Sequence, residues 1–195
     1  MKRESLPKLL PEIRACRICE KILVPRPVLH VGAKSKLMVA SQAPGLRVHQ
    51  TGISFNDASG DRLRDWMGVD RETFYDEAKV ALAGMAFCFP GYNAQGHDLP
   101  PPKICAATWR ARLLAARPDF ETTLLVGSYA LDWYLAGTQK SNMTETVKAW
   151  RDYAPKFIPL PHPSWRNNGW LKRNPWFAEE LVPYLRRRVR RLLAA

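Results

Sequence analysis

Short apolar runs and longer amphipathic stretches alternate along this chain. A run of a few apolar residues bounded by turn-forming residues is typical of a buried strand, whereas apolar residues spaced three and four apart indicate a helix. The apolar runs predict strands at residues 37–41, 80–87, 122–127 and 156–160. The helical spacing predicts helices at residues 5–15, 59–68, 104–116, 128–135 and 144–152, a short one that opens at Asp70, and a last one that begins near Asn174.

Capping residues sharpen two of these boundaries. We expect Ser59 to cap the helix that closes at Gly68, and Ser128 to cap the helix that Gly137 stops. Strands that alternate with helices imply a parallel sheet with helices on both faces. The sequence therefore predicts an α/β protein, a three-layer α/β/α sandwich with a central four-stranded parallel sheet, in which residues 1–195 form a single domain.

The charge of the chain indicates what kind of partner it binds. Hydrophobic residues make up 46% and charged residues 25%, as in ordinary globular proteins. The formal net charge of +12 predicts a polyanionic partner, because Lys and Arg that neutralise phosphates release counterions. A basic protein with no nucleic-acid role is the alternative. With no signal-like start and no run long enough to span a bilayer, we expect a cytoplasmic, nucleoid-associated protein without a membrane partner.

Four cysteines form a second candidate feature. Cys16 and Cys19 make a CxxC pair, and Cys88 and Cys105 flank a Pro-rich loop. In a reducing compartment such cysteines are ligands or free thiols more often than disulfides. Four thiolates suit either a [4Fe-4S] cluster or a closed tetrahedral zinc site, and the pattern alone does not separate the two.

Two short motifs follow predicted strands. Residues 41–45, Ser-Gln-Ala-Pro-Gly, come directly after the first strand, and residues 161–164, Pro-His-Pro-Ser, come after the fourth. In open α/β sheets the carboxyl edge of the strands is where ligands bind. Ordinary turns between a strand and a loop are the alternative for each motif.

Together the two motifs resemble those of the uracil-DNA glycosylase superfamily, most closely its iron–sulfur branches, families 4 and 5. There the first motif reads Gly-Glu-Ala-Pro-Gly and the second reads His-Pro-Ser. The resemblance extends from Cys16 to the helix after His162. It implies an α/β/α fold, removal of a flipped base from DNA, and a structural [4Fe-4S] cluster, with zinc as the less favoured alternative. The implied ligands are Cys16, Cys19, Cys88 and Cys105.

The resemblance also implies a base pocket. Phe55 matches the Phe that stacks on uracil, with a core phenylalanine as the alternative, and Ala43 and Gly45 of the first motif join the base-binding residues. His162 matches the His that faces uracil O2. Its imidazole N–H would stabilise the negative charge that develops on the departing base.

The chain departs from the family pattern at three places. Gln42 stands where family 4 has Glu, and residues 46–49, Leu-Arg-Val-His, replace its acidic residues. We therefore expect Gln42 and His49 to act on the attacking water, ahead of Asp57, which also joins the base-binding residues. Gly84 replaces the Asn that reads the uracil amide edge, so uracil, hypoxanthine, xanthine and mismatched thymine all remain possible bases.

The DNA-binding residues follow from the same resemblance. Trp165 or Arg166 would fill the gap left by the flipped base, and Lys172 and Arg173 would contact phosphates. A phosphate contact is also expected for Ser164 and for Ser128, which follows the third strand. We expect a monomer that binds DNA containing uracil or another damaged base.

The leading hypothesis is a monofunctional DNA glycosylase that hydrolyses the N-glycosidic bond and initiates base excision repair. The first alternative is a protein of the same fold that binds uracil-containing or abasic DNA with weak or no turnover; the missing acidic residues favour it. The second alternative is a cytosolic zinc protein whose basic charge serves RNA.

Overall fold

The structure, a computed structural model, describes residues 4–117 and 119–194. Its centre is a sheet of four parallel strands in the order β2-β1-β3-β4. The strands are β1 (Leu37–Ala40), β2 (Val80–Leu82), β3 (Thr122–Val126) and β4 (Phe157–Leu160). The register places Leu37 opposite Val80 and Thr122, and Leu124 opposite Ile158. The predicted parallel sheet is therefore confirmed.

Helices cover both faces of this sheet. They are α1 (Leu6–Arg14), α2 (Leu46–Thr51), α3 (Ala58–Met67), α4 (Arg71–Tyr75), α5 (Lys103–Ala116), α6 (Ser128–Tyr134), α7 (Met143–Lys148), α8 (Asn168–Arg173) and α9 (Val182–Leu193). A 3-10 turn (Trp165–Asn167) precedes α8, and a π turn (Phe177–Leu181) leads into α9. Within the described residues no helix is both long and apolar enough to cross a bilayer.

The alternation of side chains along β1 creates two cores. Leu37 and Val39 lie in one core, to which α3 and α9 contribute, whereas Met38 between them lies in the other core with α1 and α5. Successive residues of a strand point to opposite faces, so a strand that is apolar at every position needs helices on both sides. This arrangement confirms the predicted three-layer α/β/α sandwich.

Several boundaries differ from the prediction. β2 ends at Leu82, and the next residues run beside the end of β1 and the first motif, where Ala83 N, Met85 N and Ala86 N donate to Val39 O, Ser41 O and Gln42 O. The segments 46–51 and 165–173 are helical, although no helix was predicted there. α3 begins two residues earlier than a Ser59 cap requires, because the Asp57 side chain accepts the hydrogen bond from Gly60 N at 2.9 Å. Ser128 is the first residue of α6 and makes no side-chain cap.

Candidate active site

A cleft of about 590 Å³ opens at the carboxyl edge of the sheet, between the segments that follow β1 and β4. Its size is that of a small-molecule site, about 300–1,000 Å³. Residues 54–59 and two residues of the Pro-rich loop, His97 and Asp98, add further walls. The predicted site residues that line this cleft are Gln42, Ala43, Gly45, Phe55, Asp57, His162, Ser164, Trp165 and Arg166.

The first motif is held in place by the segment that follows β2. Ser41 O accepts a hydrogen bond from Met85 N at 2.7 Å, and Gln42 O accepts one from Ala86 N at 3.1 Å. These bonds satisfy two main-chain oxygens of the motif, and Gln42 itself lines the cleft. The amide side chain of Gln42 can therefore orient a water or a base, but it has no basic group that could accept a proton.

The wall of the cleft beside the first motif is made of backbone at Gly84, where an added Cβ would lie 3.5 Å from Ala43 Cα and from Gln42 O. A Cβ atom added at Gly84 would lie 2.7 Å from Ala86 O, too close to fit without a shift. Behind this wall Arg110 is fully buried, and its guanidinium donates to Ala83 O at 3.2 Å and to Gly84 O. Because both carbonyls belong to residues that line the cleft, Arg110 fixes the wall where the resembled family carries an Asn side chain.

Phe55 is held in an unusual backbone conformation. Its φ is +55°, in the left-handed region that non-glycine residues rarely adopt. Arg64 Nη1 donates to Phe55 O at 3.4 Å, Tyr75 Oη donates to Ser54 O at 2.8 Å, and the Phe55 ring meets Phe74 edge to face at 5.9 Å. Residues in strained conformations concentrate at ligand sites, where the surrounding contacts impose them. Phe55 thus lines the cleft in an imposed conformation, and it also packs against the main hydrophobic core.

Asp57 combines a structural and a chemical position. Its Oδ1 accepts the hydrogen bond from Gly60 N and so caps α3. Gly60 must lack a side chain, because a Cβ atom there would lie 1.8 Å from Phe55 O. The cap therefore holds the carboxylate of Asp57 next to Phe55 at the edge of the cleft.

His162 is oriented by its own motif. Ser164 N donates a hydrogen bond to His162 Nδ1 at 3.2 Å. A ring nitrogen that accepts a hydrogen bond carries no proton, so the neutral imidazole bears its proton on Nε2. Asn167 Nδ2 donates to His162 O at 2.7 Å and fixes the main chain. The motif thus prepares one N–H donor.

The environment of His162 favours the neutral ring. Burial lowers the pKa of His162, while the carboxylates of Asp57 and Asp98 act in the opposite direction and Arg166 adds to the lowering. A neutral imidazole keeps its proton on Nε2 and can donate that N–H in a hydrogen bond to an anion. His162 therefore has the protonation state that an oxyanion donor needs at neutral pH.

Trp165 and Arg166 stand at the mouth of the cleft. The Trp165 side chain is 70% exposed, and the Arg166 guanidinium lies over its ring, 5.3 Å from the centroid. Ser164 Oγ accepts a hydrogen bond from Arg166 N at 3.3 Å, and Arg62 Nη1 donates to Ser164 O at 3.1 Å. An exposed aromatic ring on a fixed turn is suited to contact DNA bases.

Four predicted residues lie outside the cleft. His49 is on α2, where its ring packs 6.0 Å from the ring of Phe89, and its Nδ1 is buried with no partner among the described residues. Ser128 is exposed at the start of α6, and Lys172 and Arg173 are exposed at the end of α8. The last three can still contact a phosphate, whereas His49 does not reach the cleft as the structure stands.

Residues 29–186 match the sequence profile of the Uracil DNA glycosylase superfamily, a span that includes all four strands and both motifs. The chain belongs to this superfamily. Membership implies a glycosylase-type hydrolase that acts on DNA. Cys16 and Cys19 precede the matched residues, so the match does not extend to a cofactor bound by the cysteines.

The four cysteines of this glycosylase-superfamily member line one small cavity beside the Pro-rich loop, with apolar residues completing its walls. They come from the segment after α1, from the segment after β2, and from the first turn of α5. Among the described residues, no group of three or more His, Cys, Asp or Glu is arranged to hold a single metal ion. Burial raises the pKa of Cys88 and of Cys105 to about 11, and nearby thiols add to the rise.

His97 and Asp98 are cleft residues that the sequence did not indicate. They belong to the loop between Cys88 and Cys105, which carries no motif of its own. Turn residues such as Asn93 and Gly96 indicate a bend in this loop, but nothing in the local pattern shows that the loop packs against the cleft. The structure therefore adds one carboxylate, that of Asp98, to the cleft residues that were predicted from the sequence.

Proposed function

We propose that this protein is a monofunctional DNA glycosylase that removes uracil or another deaminated base from DNA. The observation that carries the proposal is that one cleft contains both Phe55, pre-set as a stacking wall, and His162, whose Nε2 bears the proton in the neutral ring. A base held in this cleft must be flipped out of the DNA stack, because its glycosidic bond is not accessible within the duplex.

The departing base accumulates negative charge in the reaction. As the bond from C1′ to the base nitrogen breaks, the electron pair leaves with the base, and His162 Nε2–H donates to the oxygen that takes up the charge. One preorganised donor of this kind contributes about 3 kcal/mol to the transition state. Phe55 stacks on the base and Gln42 orients either the base or the attacking water.

We expect the bound DNA to run along the second motif and the residues that follow it. Trp165, with Arg166 over its ring, would occupy the gap in the stack, and Ser164, Lys172, Arg173 and Ser128 would contact phosphates. The net charge of +12 supports binding that depends on salt through counterion release. We infer that one protein molecule engages one DNA segment.

The groups that line the cleft support a monofunctional reaction. No lysine lines it within the part of the chain that the structure describes. A glycosylase that also cleaves the strand needs an amine that forms a Schiff base with the sugar. Water is therefore the proposed nucleophile, and an intact strand with an abasic site is the product.

A [4Fe-4S] cluster on Cys16, Cys19, Cys88 and Cys105 is part of the proposal. Four thiols around one apolar cavity are the donor set of such a cluster. A cubane cluster takes one thiolate on each of its four iron atoms, whereas a structural zinc site takes four thiolates on one ion.

When bound, the cluster would connect the segment after α1 to both ends of the Pro-rich loop and take no part in bond breaking. Anaerobically purified protein should contain about four iron atoms per chain and absorb broadly in the blue. Cys105→Ser should lower the iron content and the melting temperature together. One zinc per chain and no iron would contradict this part of the proposal.

The experiment that tests the activity uses labelled single-stranded and duplex oligonucleotides that carry uracil, hypoxanthine, xanthine or a G·T mismatch. Alkali treatment after incubation reveals abasic sites. Excision of one or more of these bases, lost in His162→Ala with DNA binding retained, is the expected result. Strand cleavage without alkali would contradict the monofunctional reaction.

A second candidate is a protein that binds uracil-containing or abasic DNA with little turnover. The observation that favours it is that the first motif has no carboxylate and that His49 packs against Phe89 outside the cleft. Tight, base-dependent DNA binding with no excision of any substrate would favour this candidate over the glycosylase.

A further inference from the structure

The loop between the third and fourth cysteines forms a small hairpin. Asn93 N donates to His97 O at 2.8 Å and Leu99 N donates to Gly91 O at 2.9 Å, and Tyr92 and Asp98 form an antiparallel bridge. The Asn93 side-chain oxygen accepts from His97 N at 2.9 Å and so closes the tip. Residues 91–99 are therefore an ordered hairpin whose second strand carries Asp98.

Both ends of this hairpin are anchored. On one side the ring of Tyr92 contacts Phe89 edge to face at 5.0 Å, directly after Cys88. On the other side residues 100–102 are three prolines, which restrict the chain before Cys105. The hairpin thus extends from the cysteine cavity to the cleft, and its position depends on both.

Asp98 lies in the cleft with its carboxylate available. It lines the cleft together with His162 and Asp57. Its carboxylate opposes the lowering of the His162 pKa, which places the two groups within electrostatic reach. Unlike Asp57, whose Oδ1 is committed to Gly60 N, Asp98 has no side-chain partner among the described residues and is exposed to water.

The proposed reaction requires such a group. Water becomes a competent nucleophile when a base accepts its proton, and the sugar acquires positive charge as the base leaves. Gln42 can orient the water but cannot take the proton. A carboxylate can do both tasks, and in this chain it must come from outside the first motif.

We propose that Asp98 is the general base of this protein, delivered to the cleft by the hairpin rather than by the first motif. The inference rests on the proposed glycosylase function. The oxygen of water bonds to C1′, the bond from C1′ to the base nitrogen breaks with its electron pair on the base, and the proton of the water passes to the Asp98 carboxylate. Solvent then protonates the released base.

The test measures single-turnover excision and DNA dissociation constants separately for Asp98→Asn and Asp98→Glu. Asp98→Asn should slow excision by about a hundredfold or more, while DNA affinity stays the same or increases because a negative charge is removed beside the phosphates. Asp98→Glu should restore part of the rate. A purely structural or electrostatic surface role would change affinity and leave the rate constant unaltered.

Asp132→Asn is the matched control, because Asp132 is exposed on α6 outside the cleft and the change removes the same charge. Its excision rate should equal that of the wild type. If the wild type excises a base and Asp98→Asn matches it within threefold, the role of Asp98 is wrong and the glycosylase function stands. If the wild type excises nothing, both proposals fail together.

Discussion

The two sides of the cleft are built differently. On the β4 side, His162 is oriented by Ser164 N and Asn167 Nδ2, which lie two and five residues further along the chain. On the β1 side the first motif supplies an amide, and the carboxylates come from Asp57, at the cap of α3, and from Asp98, on the hairpin. The group proposed to stabilise the departing base is therefore positioned locally, whereas the groups proposed to act on water come from distant segments.

This difference predicts different responses to mutation. A site built within one motif loses activity when a residue of that motif is replaced, and it tolerates substitutions elsewhere. An assembled set depends on the elements that position each member, so substitutions away from the reacting atoms weaken it. The strongest test on each side is a change that leaves the fold intact.

The largest effect is expected from His162→Ala. Removing a single preorganised donor should slow excision by about 10²–10³-fold, or ~3 kcal/mol. His162→Gln keeps an N–H donor in a different position and should lose less. Single-turnover excision gives the rates and thermal unfolding confirms the fold. A loss of less than tenfold in His162→Ala would show that the charge on the base is stabilised elsewhere.

Gly60→Ala tests the assembled side. The new Cβ would lie 1.8 Å from Phe55 O, so the segment that carries Phe55 and Asp57 must shift. Overpacking of this kind costs roughly 1–3 kcal/mol of the free energy of unfolding, and excision should fall as well because the stacking wall moves.

Gly169→Ala is the matched change for stability, since its Cβ would meet only the end of the Arg173 side chain, at 3.5 Å. Alanine in that helix should be neutral or stabilising by up to about 1 kcal/mol. Urea unfolding of both variants gives the comparison. Equal stability of Gly60→Ala and the wild type, with unaltered excision, would show that Phe55 is not held as described.

The features that could be predicted from the sequence are those that depend on local hydrophobic patterns. The strands are mainly apolar because they are buried on both faces, with Thr122 and Thr123 of β3 as buried polar exceptions. The fold could therefore be derived from short apolar runs and helical spacing. The cleft at the carboxyl edge followed from the placement of the two motifs after β1 and β4.

What the sequence did not reveal depends on contacts between distant segments. Asp98 enters the cleft because the hairpin folds back from the cysteine cavity, and Asp57 replaces Ser59 as the cap of α3 because its side chain reaches Gly60 N. His49 was expected to act on water, but its position after Pro-Gly lies on a helix that directs the ring toward Phe89. Residue type and spacing do not show where these three side chains lie in the folded chain.

The pH dependence of stability provides a smaller test of the β4 side. Burial lowers the pKa of His162 below its ordinary value of 6.5. The folded state therefore binds fewer protons than the unfolded state just below that pH, and stability falls as the pH drops below 6.5. His162→Gln should lack this part of the pH dependence. Urea unfolding above and below this pH measures it, and an unchanged slope in the variant would contradict the lowered pKa.

The smallest effect is expected from His49→Ala. This variant tests whether His49, which follows the first motif, takes part in the reaction. With the ring against Phe89 and outside the cleft, the excision rate should change by less than about threefold, ~0.7 kcal/mol. Any cost should appear in the unfolding free energy, because the packing against Phe89 is lost. A hundredfold loss of rate at full stability would instead show that α2 reorients when DNA binds. The proton of the water would then pass to His49, and Asp98→Asn would leave the excision rate unchanged.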